Sequence, residues 1–140
     1  MVEIVFDMTE ASARFSESGA RSAVEKILSD HGFHEGWINI VIFNDKLTRS
    51  LHAEYFGNSE TTDVMSFEFD INQKNGYMEG EVYANIEQVR RQAKDYETSP
   101  ENELVRVICH GVLHLVGYDD ATPEQRAYMR EKEDFYLKYY

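Results

Sequence analysis

Residues 99–120 read SPENELVRVICHGVLHLVGYDD, and the rest of the chain is best understood around this stretch. Ser99 is a favourable N-cap residue and Pro100 suits the first helical position, so a helix is predicted to begin here. The helix is apolar nearly all round, which is typical of a buried helix. We therefore expect it to lie in the centre of the molecule. Its apolar residues are Leu104, Val105, Val107, Ile108, Val112, Leu113 and Leu115.

His110 and His114 are the polar exceptions on this helix. Residues four apart share one helix face, so the two imidazoles are predicted to lie one turn apart. Gly117 tolerates the positive φ with which a chain leaves a helix, and a carboxylate can then turn back toward both nitrogens. The spacing favours Asp120 as that third ligand, and Asp119 becomes a candidate base. The alternative, that Asp119 only caps the turn, stays open. Three protein ligands and an open fourth position are typical of a catalytic metal site.

A structural role for the histidines is the simpler alternative, because a single buried histidine is usually a hydrogen-bonded core residue. Two buried imidazoles without partners would cost about 1–3 kcal/mol each, and a shared metal ion removes that cost. We therefore predict one divalent metal ion at His110, His114 and Asp120. Cys109 is predicted to be a small core residue rather than a ligand. Three histidines outside the pattern, His31, His34 and His52, are predicted to be surface or turn residues.

Composition limits the function classes. The 140 residues are 42 % hydrophobic and 13 % aromatic, which predicts one domain spanning residues 1–140. A single cysteine excludes a disulfide framework and predicts a cytoplasmic protein, and no apolar run is long enough for a membrane. The formal net charge of −12 argues against loose, non-specific binding of nucleic acid, which needs many cationic contacts. An anionic substrate would have to be bound by a few placed cations or by the metal ion.

Hydrophobic periodicity and turn residues predict an α+β fold, in which about five helices pack on a mixed four-stranded sheet. The metal site is expected on the buried central helix and the loop that follows it. Asn75-Gly76 predicts a hairpin turn. The last helix should begin with a capping box, Thr122 to Gln125, and carry Tyr128, Phe135 and Tyr139 on its apolar stripe. Predicted strands are 4–6, 37–43, 64–69 and 78–84; the other predicted helices are 18–30, one from 45 with Leu47, Leu51 and Tyr55 on its stripe, and one from about 86 to 96.

The spacing His-x3-His-x2-Gly-x2-Asp overlaps the extended motif of the zincin metallopeptidases. In those enzymes the residue after the first histidine is glutamate, which acts as the general base. The corresponding residue here is Gly111. A metallopeptidase is therefore the second candidate function, since it would need a base from elsewhere in the chain.

The run from His110 to Asp119, HGVLHLVGYD, resembles the signature of the YbeY family of endoribonucleases and rRNA maturation factors. Residues 62–67, TDVMSF, and 80–82, GEV, resemble two strand segments of the same family. The resemblance implies a hydrolase with zinc held by three side chains and cleavage specific for single-stranded RNA. It also implies maturation of the 16S rRNA 3′ end, ribosome quality control, and rRNA and the small ribosomal subunit as partners.

By position, the resemblance carries the metal ligands over to His110, His114 and Asp120. The family usually has histidine at the third position. Aspartate can ligate zinc at about 2.0–2.2 Å, and it shifts the preference toward harder ions such as manganese or iron. Asp119 or Asp63 is predicted to orient the attacking water.

A second difference is Phe56, where the family typically has an arginine that would be expected to hold phosphate. Substitutes for it would be Arg49, Arg90, Arg91 or Arg106. These differences motivate a third hypothesis, a non-catalytic metal-binding protein associated with the ribosome.

Overall fold

A computed structural model describes residues 1–47, 50 and 62–140 of the chain. It confirms the predicted α+β fold with a mixed four-stranded sheet. The strands are β1 (Glu3–Asp7), β2 (Glu35–Phe43), β3 (Val64–Asn72) and β4 (Tyr77–Asn85). The helices are α1 (Glu17–Asp30), α2 (Ile86–Asp95), α3 (Pro100–Leu115) and α4 (Pro123–Leu137), with a short 3-10 helix at Gln73–Asn75 and helical residues at 45–47. Five residues named above, Arg49, Leu51, His52, Tyr55 and Phe56, lie outside the described residues.

The sheet has the strand order β1-β2-β4-β3. Both neighbours of β2 are parallel to it, whereas β3 and β4 are antiparallel. The predicted hairpin is confirmed, although its connection is longer than a two-residue turn. The 3-10 helix ends at Gly76, whose φ of 69° is the left-handed conformation that glycine adopts without strain.

Helix α3 packs against β3 and β4, and α1, α2 and α4 pack around it. The prediction of a buried central helix is therefore confirmed. Gly111 places the backbone of α3 directly against β3 and β4. A Cβ atom at this position would lie 2.6 Å from Val82 Cγ1 and 3.1 Å from Val64 Cγ2. Ser66 Oγ donates a hydrogen bond of 2.8 Å to the Gly111 carbonyl. The helix can reach this depth because residue 111 has no side chain.

The N-termini of α3 and α4 are capped as the sequence predicts. Ser99 accepts a hydrogen bond from the Asn102 N–H at the start of α3. Thr122 and Gln125 form the predicted capping box of α4. The capping box fixes where α4 begins, and thereby where the connection that follows α3 ends.

The predicted apolar stripe of α4 is wrong. Tyr128, Phe135 and Tyr139 are 50 %, 41 % and 41 % exposed. The buried residues of the helix are instead Met129, Glu133 and Tyr136. Both sets have helical spacing, so periodicity alone did not separate them. Glutamate is seldom buried unless it is paired, so the set that contains Glu133 is the less expected of the two from sequence.

No α-helix among the described residues is both long enough and apolar enough to cross a bilayer.

Candidate metal centre

His110, His114 and Asp120 converge on one point. The two Nε2 atoms lie 3.1 Å apart. Asp120 Oδ2 lies 3.2 Å from the first Nε2 and 3.4 Å from the second. Helix α3 supplies both imidazoles, and Gly117, with a φ of 112°, turns the chain so that the carboxylate comes back to them. The structure thus brings together the three side chains that the sequence analysis selected as ligands.

The geometry fits a small divalent ion. In a tetrahedral zinc site with bonds of about 2.0–2.1 Å, neighbouring donor atoms lie about 3.3–3.4 Å apart. The three observed separations, 3.1, 3.2 and 3.4 Å, nearly match one face of such a tetrahedron. The three side chains are also 23–38 % exposed, so the group is reachable from solvent. Among the described residues they form the group of histidines, cysteines and acids that could hold a metal ion.

Glu133 supports the group from α4. Its Oε2 lies 2.6 Å from His110 Nδ1. With Nδ1 as the hydrogen-bond donor, the lone pair of the ring is on Nε2, which is the atom facing His114 and Asp120. Burial alone would lower the pKa of His110. The hydrogen bond and charge of Glu133, with the charges of Asp63 and Asp120, outweigh burial and raise that pKa. The same carboxylate therefore fixes the tautomer and increases the basicity of His110.

Arg106 compensates the buried charge of Glu133, which is 6 % exposed. The guanidinium lies 3.2 Å from Glu133 Oε1 and 2.6 Å from Asp134 Oδ1. A buried carboxylate without such partners would be strongly destabilising. The resulting chain of contacts runs from Arg106 through Glu133 to His110, and it ties α4 to the centre.

Glu133 was not predicted from the sequence. Its position could have indicated its role, because Glu133 follows Met129 by one helical turn and lies on the same helix face as Met129 and Tyr136. A histidine ligand usually donates its other ring N–H to a carboxylate. A carboxylate partner for His110 was therefore to be expected on a neighbouring helix such as α4.

Two cavities meet at the centre and share Asp63, His110 and Asp120 in their walls. The first, of about 470 Å³, continues along β3 past Ser66 and Glu68. The second, of about 300 Å³, lies between α2, α3 and α4. A substrate that reaches the three ligands therefore has room on two sides of them.

The two predicted catalytic carboxylates are placed differently. Asp63 lines both cavities, and its Oδ2 accepts a hydrogen bond of 3.2 Å from Gln92 Nε2. Asp119 is exposed and accepts a 2.9 Å hydrogen bond from the Asp120 N–H, as a turn-capping residue does. Asp119 is absent from the residues that line either cavity. The structure therefore brings Asp63 to the centre and leaves Asp119 beside it.

The other histidines and the cysteine lie where the sequence suggested, as far as the structure describes them. His31 ends α1, with Nδ1 2.6 Å from the Ile27 carbonyl and Nε2 2.9 Å from the Tyr118 hydroxyl. His34 is exposed. Cys109 is fully buried, and burial raises the pKa of its thiol to about 12. Its thiol is not part of the group formed by His110, His114 and Asp120, which agrees with its prediction as a small core residue.

Of the predicted phosphate-binding arginines, two are already paired. Arg91 forms a salt bridge of 2.8 Å with Asp45, and Arg106 is bound to Glu133 and Asp134. Arg90 is exposed on α2. Arg49 lies outside the described residues.

The structure also explains the missing zincin glutamate. A side chain at position 111 would point into β4, where even a Cβ atom overlaps Val82. The helix therefore has no room for a base at the position that the metallopeptidases use.

A fold comparison agrees with this architecture. The chain is similar to the solution structure of the Thermotoga maritima protein TM1509, with a TM-score of 0.64 and 22 % sequence identity. The alignment covers 99 % of this chain and 88 % of that protein. Fold and site together define an α+β protein with a His/His/Asp group on a buried helix and the loop after it.

Sequence comparison gives the family. The family profile described as "Endoribonuclease YbeY" matches residues 6–140. Endoribonuclease YbeY of Chloroherpeton thalassium is 40 % identical over 86 % of this chain and 84 % of its own length. The protein of the same description from Chlorobium phaeovibrioides is 37 % identical over 87 % and 80 %. The chain belongs to the YbeY family of endoribonucleases, which are hydrolases of phosphodiester bonds.

Proposed function

We propose that residues 1–140 form one metal-dependent hydrolase domain that cleaves single-stranded RNA, with His110, His114 and Asp120 as the metal ligands. The observation that carries this proposal is the convergence of three donor atoms at the spacing of a metal site, with Glu133 behind His110. Zinc is the first expectation, because two imidazoles and one carboxylate are ligands that zinc accepts. The carboxylate also suits manganese or iron, and metal analysis distinguishes these ions.

A bound metal ion would supply a more acidic water and a positive charge beside the phosphoryl oxygen. The protein's own side chains do the remaining work. Glu133 holds the His110 ring in one tautomer, and the loop after Gly117 holds Asp120 against the two imidazoles.

Asp63 is the favoured proton acceptor. It shares both cavities with His110 and Asp120, so a nucleophile next to the scissile phosphate comes within reach of its carboxylate. This holds for water and for the 2′-hydroxyl of the RNA. Gln92 orients the carboxylate through one oxygen. Asp119 remains the second candidate for this role.

For the biological role we propose maturation of the 16S rRNA 3′ end and ribosome quality control in the cytoplasm. The support is membership of the YbeY family and the resemblance of the signature residues. The partners would be rRNA and the small ribosomal subunit.

The test couples metal analysis to RNA cleavage. His114→Ala and Asp120→Ala should each lose bound metal and cleavage of a single-stranded RNA, and a chelator should do the same to the wild-type protein. Asp63→Asn should keep the metal and lose cleavage, whereas Asp119→Asn should keep both, because Asp119 lines neither cavity. Loss of cleavage in Asp119→Asn alone would assign the role to Asp119. Full RNA cleavage by metal-free protein would refute the proposal.

The same variants test a purely structural ion. If chelation unfolds the protein while rRNA processing stays normal in an Asp63→Asn, Asp119→Asn double variant, the ion holds the fold together and the non-catalytic hypothesis is correct. The metallopeptidase hypothesis has no support beyond its motif spacing, because Gly111 leaves no room for the glutamate.

A further inference from the structure

The cavity between α2, α3 and α4 has a floor and a rim of different chemistry. Its floor is buried and includes Val107, Met129 and the carboxylates of Glu103 and Glu133. Its rim is exposed and consists of Tyr96, Arg126 and Arg130. The function proposed above does not use this rim, although the cavity opens directly onto His110, Asp63 and Asp120.

The rim carries two positive charges. Among the described residues, neither Arg126 nor Arg130 forms an ion pair with a carboxylate, in contrast to Arg91 and Arg106. Arg126 Nη1 donates to the Ala121 carbonyl at 3.0 Å and to that of Asp120 at 3.4 Å. These bonds hold the guanidinium next to the third ligand, and its partners are backbone carbonyls rather than a carboxylate. In a chain of net charge −12, two such cations at one opening are a specific feature.

Tyr96 adds an aromatic surface to the same rim. It ends α2 and is 59 % exposed, even though the Arg130 guanidinium lies over its ring at 5.7 Å. An exposed tyrosine beside an arginine is the combination with which proteins bind single-stranded nucleic acid. The ring stacks on a base, and the guanidinium binds the backbone phosphate. The cavity, of about 300 Å³, fits one nucleotide unit rather than a longer stretch.

We infer that Tyr96, Arg126 and Arg130 form a nucleotide subsite that binds the unit next to the scissile phosphate, and this inference rests on the RNA substrate proposed above. The base stacks on Tyr96. The phosphate that follows it along the strand binds between Arg126 and Arg130, while the scissile phosphate lies at the three ligands. The subsite accepts any base, because stacking reads no sequence. It selects single strands, because a paired base is already stacked on its neighbours and has no free face for Tyr96.

Arg130 and Tyr96 are the residues to change. Arg126 is not suitable for substitution, because its hydrogen bonds to the carbonyls of Asp120 and Ala121 also hold the loop that carries the third metal ligand. Both chosen residues are exposed, so their substitution leaves the core intact. Lys74 is the control: it lies in the 3-10 helix at the far end of β3 from the cavity, and Lys74→Gln removes the same charge as Arg130→Gln.

Binding of a fluorescein-labelled octaribonucleotide is measured by anisotropy at several salt concentrations. Tyr96→Leu should weaken binding by about 5-fold or more, whereas Tyr96→Phe should stay within about 2-fold, since base stacking is worth about 1–3 kcal/mol. Arg130→Gln should weaken binding and reduce the salt slope by about 0.7, as expected for one lost phosphate contact on a single strand. Lys74→Gln should bind like the wild type, and all four variants should retain the wild-type metal content.

Modified oligonucleotides decide whether the contact is the one inferred. An abasic unit should weaken binding to the wild type most strongly at one position, and that loss should vanish in Tyr96→Leu. A neutral methylphosphonate at the linkage that follows this unit should also weaken binding to the wild type. That loss should vanish in Arg130→Gln. The subsite is overturned if the wild type cleaves RNA while Tyr96→Leu and Arg130→Gln bind as tightly as it does, or if the abasic loss is unchanged in Tyr96→Leu. Failure of the proposed function gives a different result: the wild type neither binds nor cleaves RNA.

Discussion

Replacing Glu133 by glutamine should weaken metal binding by about 10- to 100-fold. The substitution keeps the shape of the side chain and removes the negative charge that faces His110 Nδ1 at 2.6 Å. A metal ion on Nε2 would lie about 6–7 Å from that charge, across the ring and one bond of about 2 Å. With an effective dielectric constant of about 20, the attraction of one charge for a divalent ion at that distance is about 5 kcal/mol, half of it per unit of metal charge. Loss of a supporting carboxylate typically lowers metal affinity by 10- to 100-fold, which corresponds to about 1.4–2.7 kcal/mol. This loss is smaller than the Coulomb energy because water and neighbouring charges screen part of the attraction.

The assay is a competition titration of zinc against a chromophoric chelator at fixed pH. Asp134→Asn is the matched control, since Asp134 also binds Arg106 but is 59 % exposed and does not contact His110. The control should keep the wild-type affinity. An unchanged affinity in Glu133→Gln, or an equal loss in both variants, would show that the contact with His110 has no role in holding the ion. Circular dichroism of both variants checks that the fold is retained.

Three further predictions concern the core around the centre. Gly111→Ala should destabilise the protein, because an overpacking cost of about 1–3 kcal/mol against Val82 exceeds the helix preference of alanine, about 1 kcal/mol. Urea unfolding measures the loss, which should shrink when Val82 is itself replaced by alanine. Burial raises the pKa of Glu103 above its usual 4.5, so folding stability should fall as the pH rises from that value through the folded pKa. Glu103→Gln removes this decline, so its stability relative to the wild type should increase from pH 4 to pH 7. Thermal unfolding of chelator-treated protein measures this. The same difference in stability between variant and wild type at both pH values would contradict the raised pKa. Cys109 should react with a thiol reagent only at the rate of unfolding, since its thiol is buried with a pKa of about 12; fast labelling of the native protein would show that α3 is not in the core.

Local rules were sufficient for the elements and for the ligand group. Ser99, Pro100 and the capping box at Thr122 act within a few residues of themselves, so their effect is readable in the sequence. The convergence of His110, His114 and Asp120 is similarly local, since one helical turn and one glycine-dependent exit determine it. Each of these signals spans fewer than a dozen residues.

Long-range pairing was not readable in the same way. Glu133 is buried because Arg106 and His110 lie opposite it, and both belong to another helix. The rim of Tyr96, Arg126 and Arg130 likewise depends on how α2 and α4 flank α3. Without that packing, a glutamate and an arginine on an amphipathic helix look like solvent-facing residues, and the exposed aromatics look like the core.

The ligands and their supporting carboxylate all belong to residues 110–133, which form two consecutive helices and a short connection. Closing such a short loop costs little chain entropy, whereas β2 and β4 must pair in parallel across a long intervening segment. We therefore expect the helical hairpin to acquire affinity for an ion before the sheet is complete. An ion taken up at that stage would bias the order of assembly, so the concentration of free metal during refolding should influence its rate as well as the final stability.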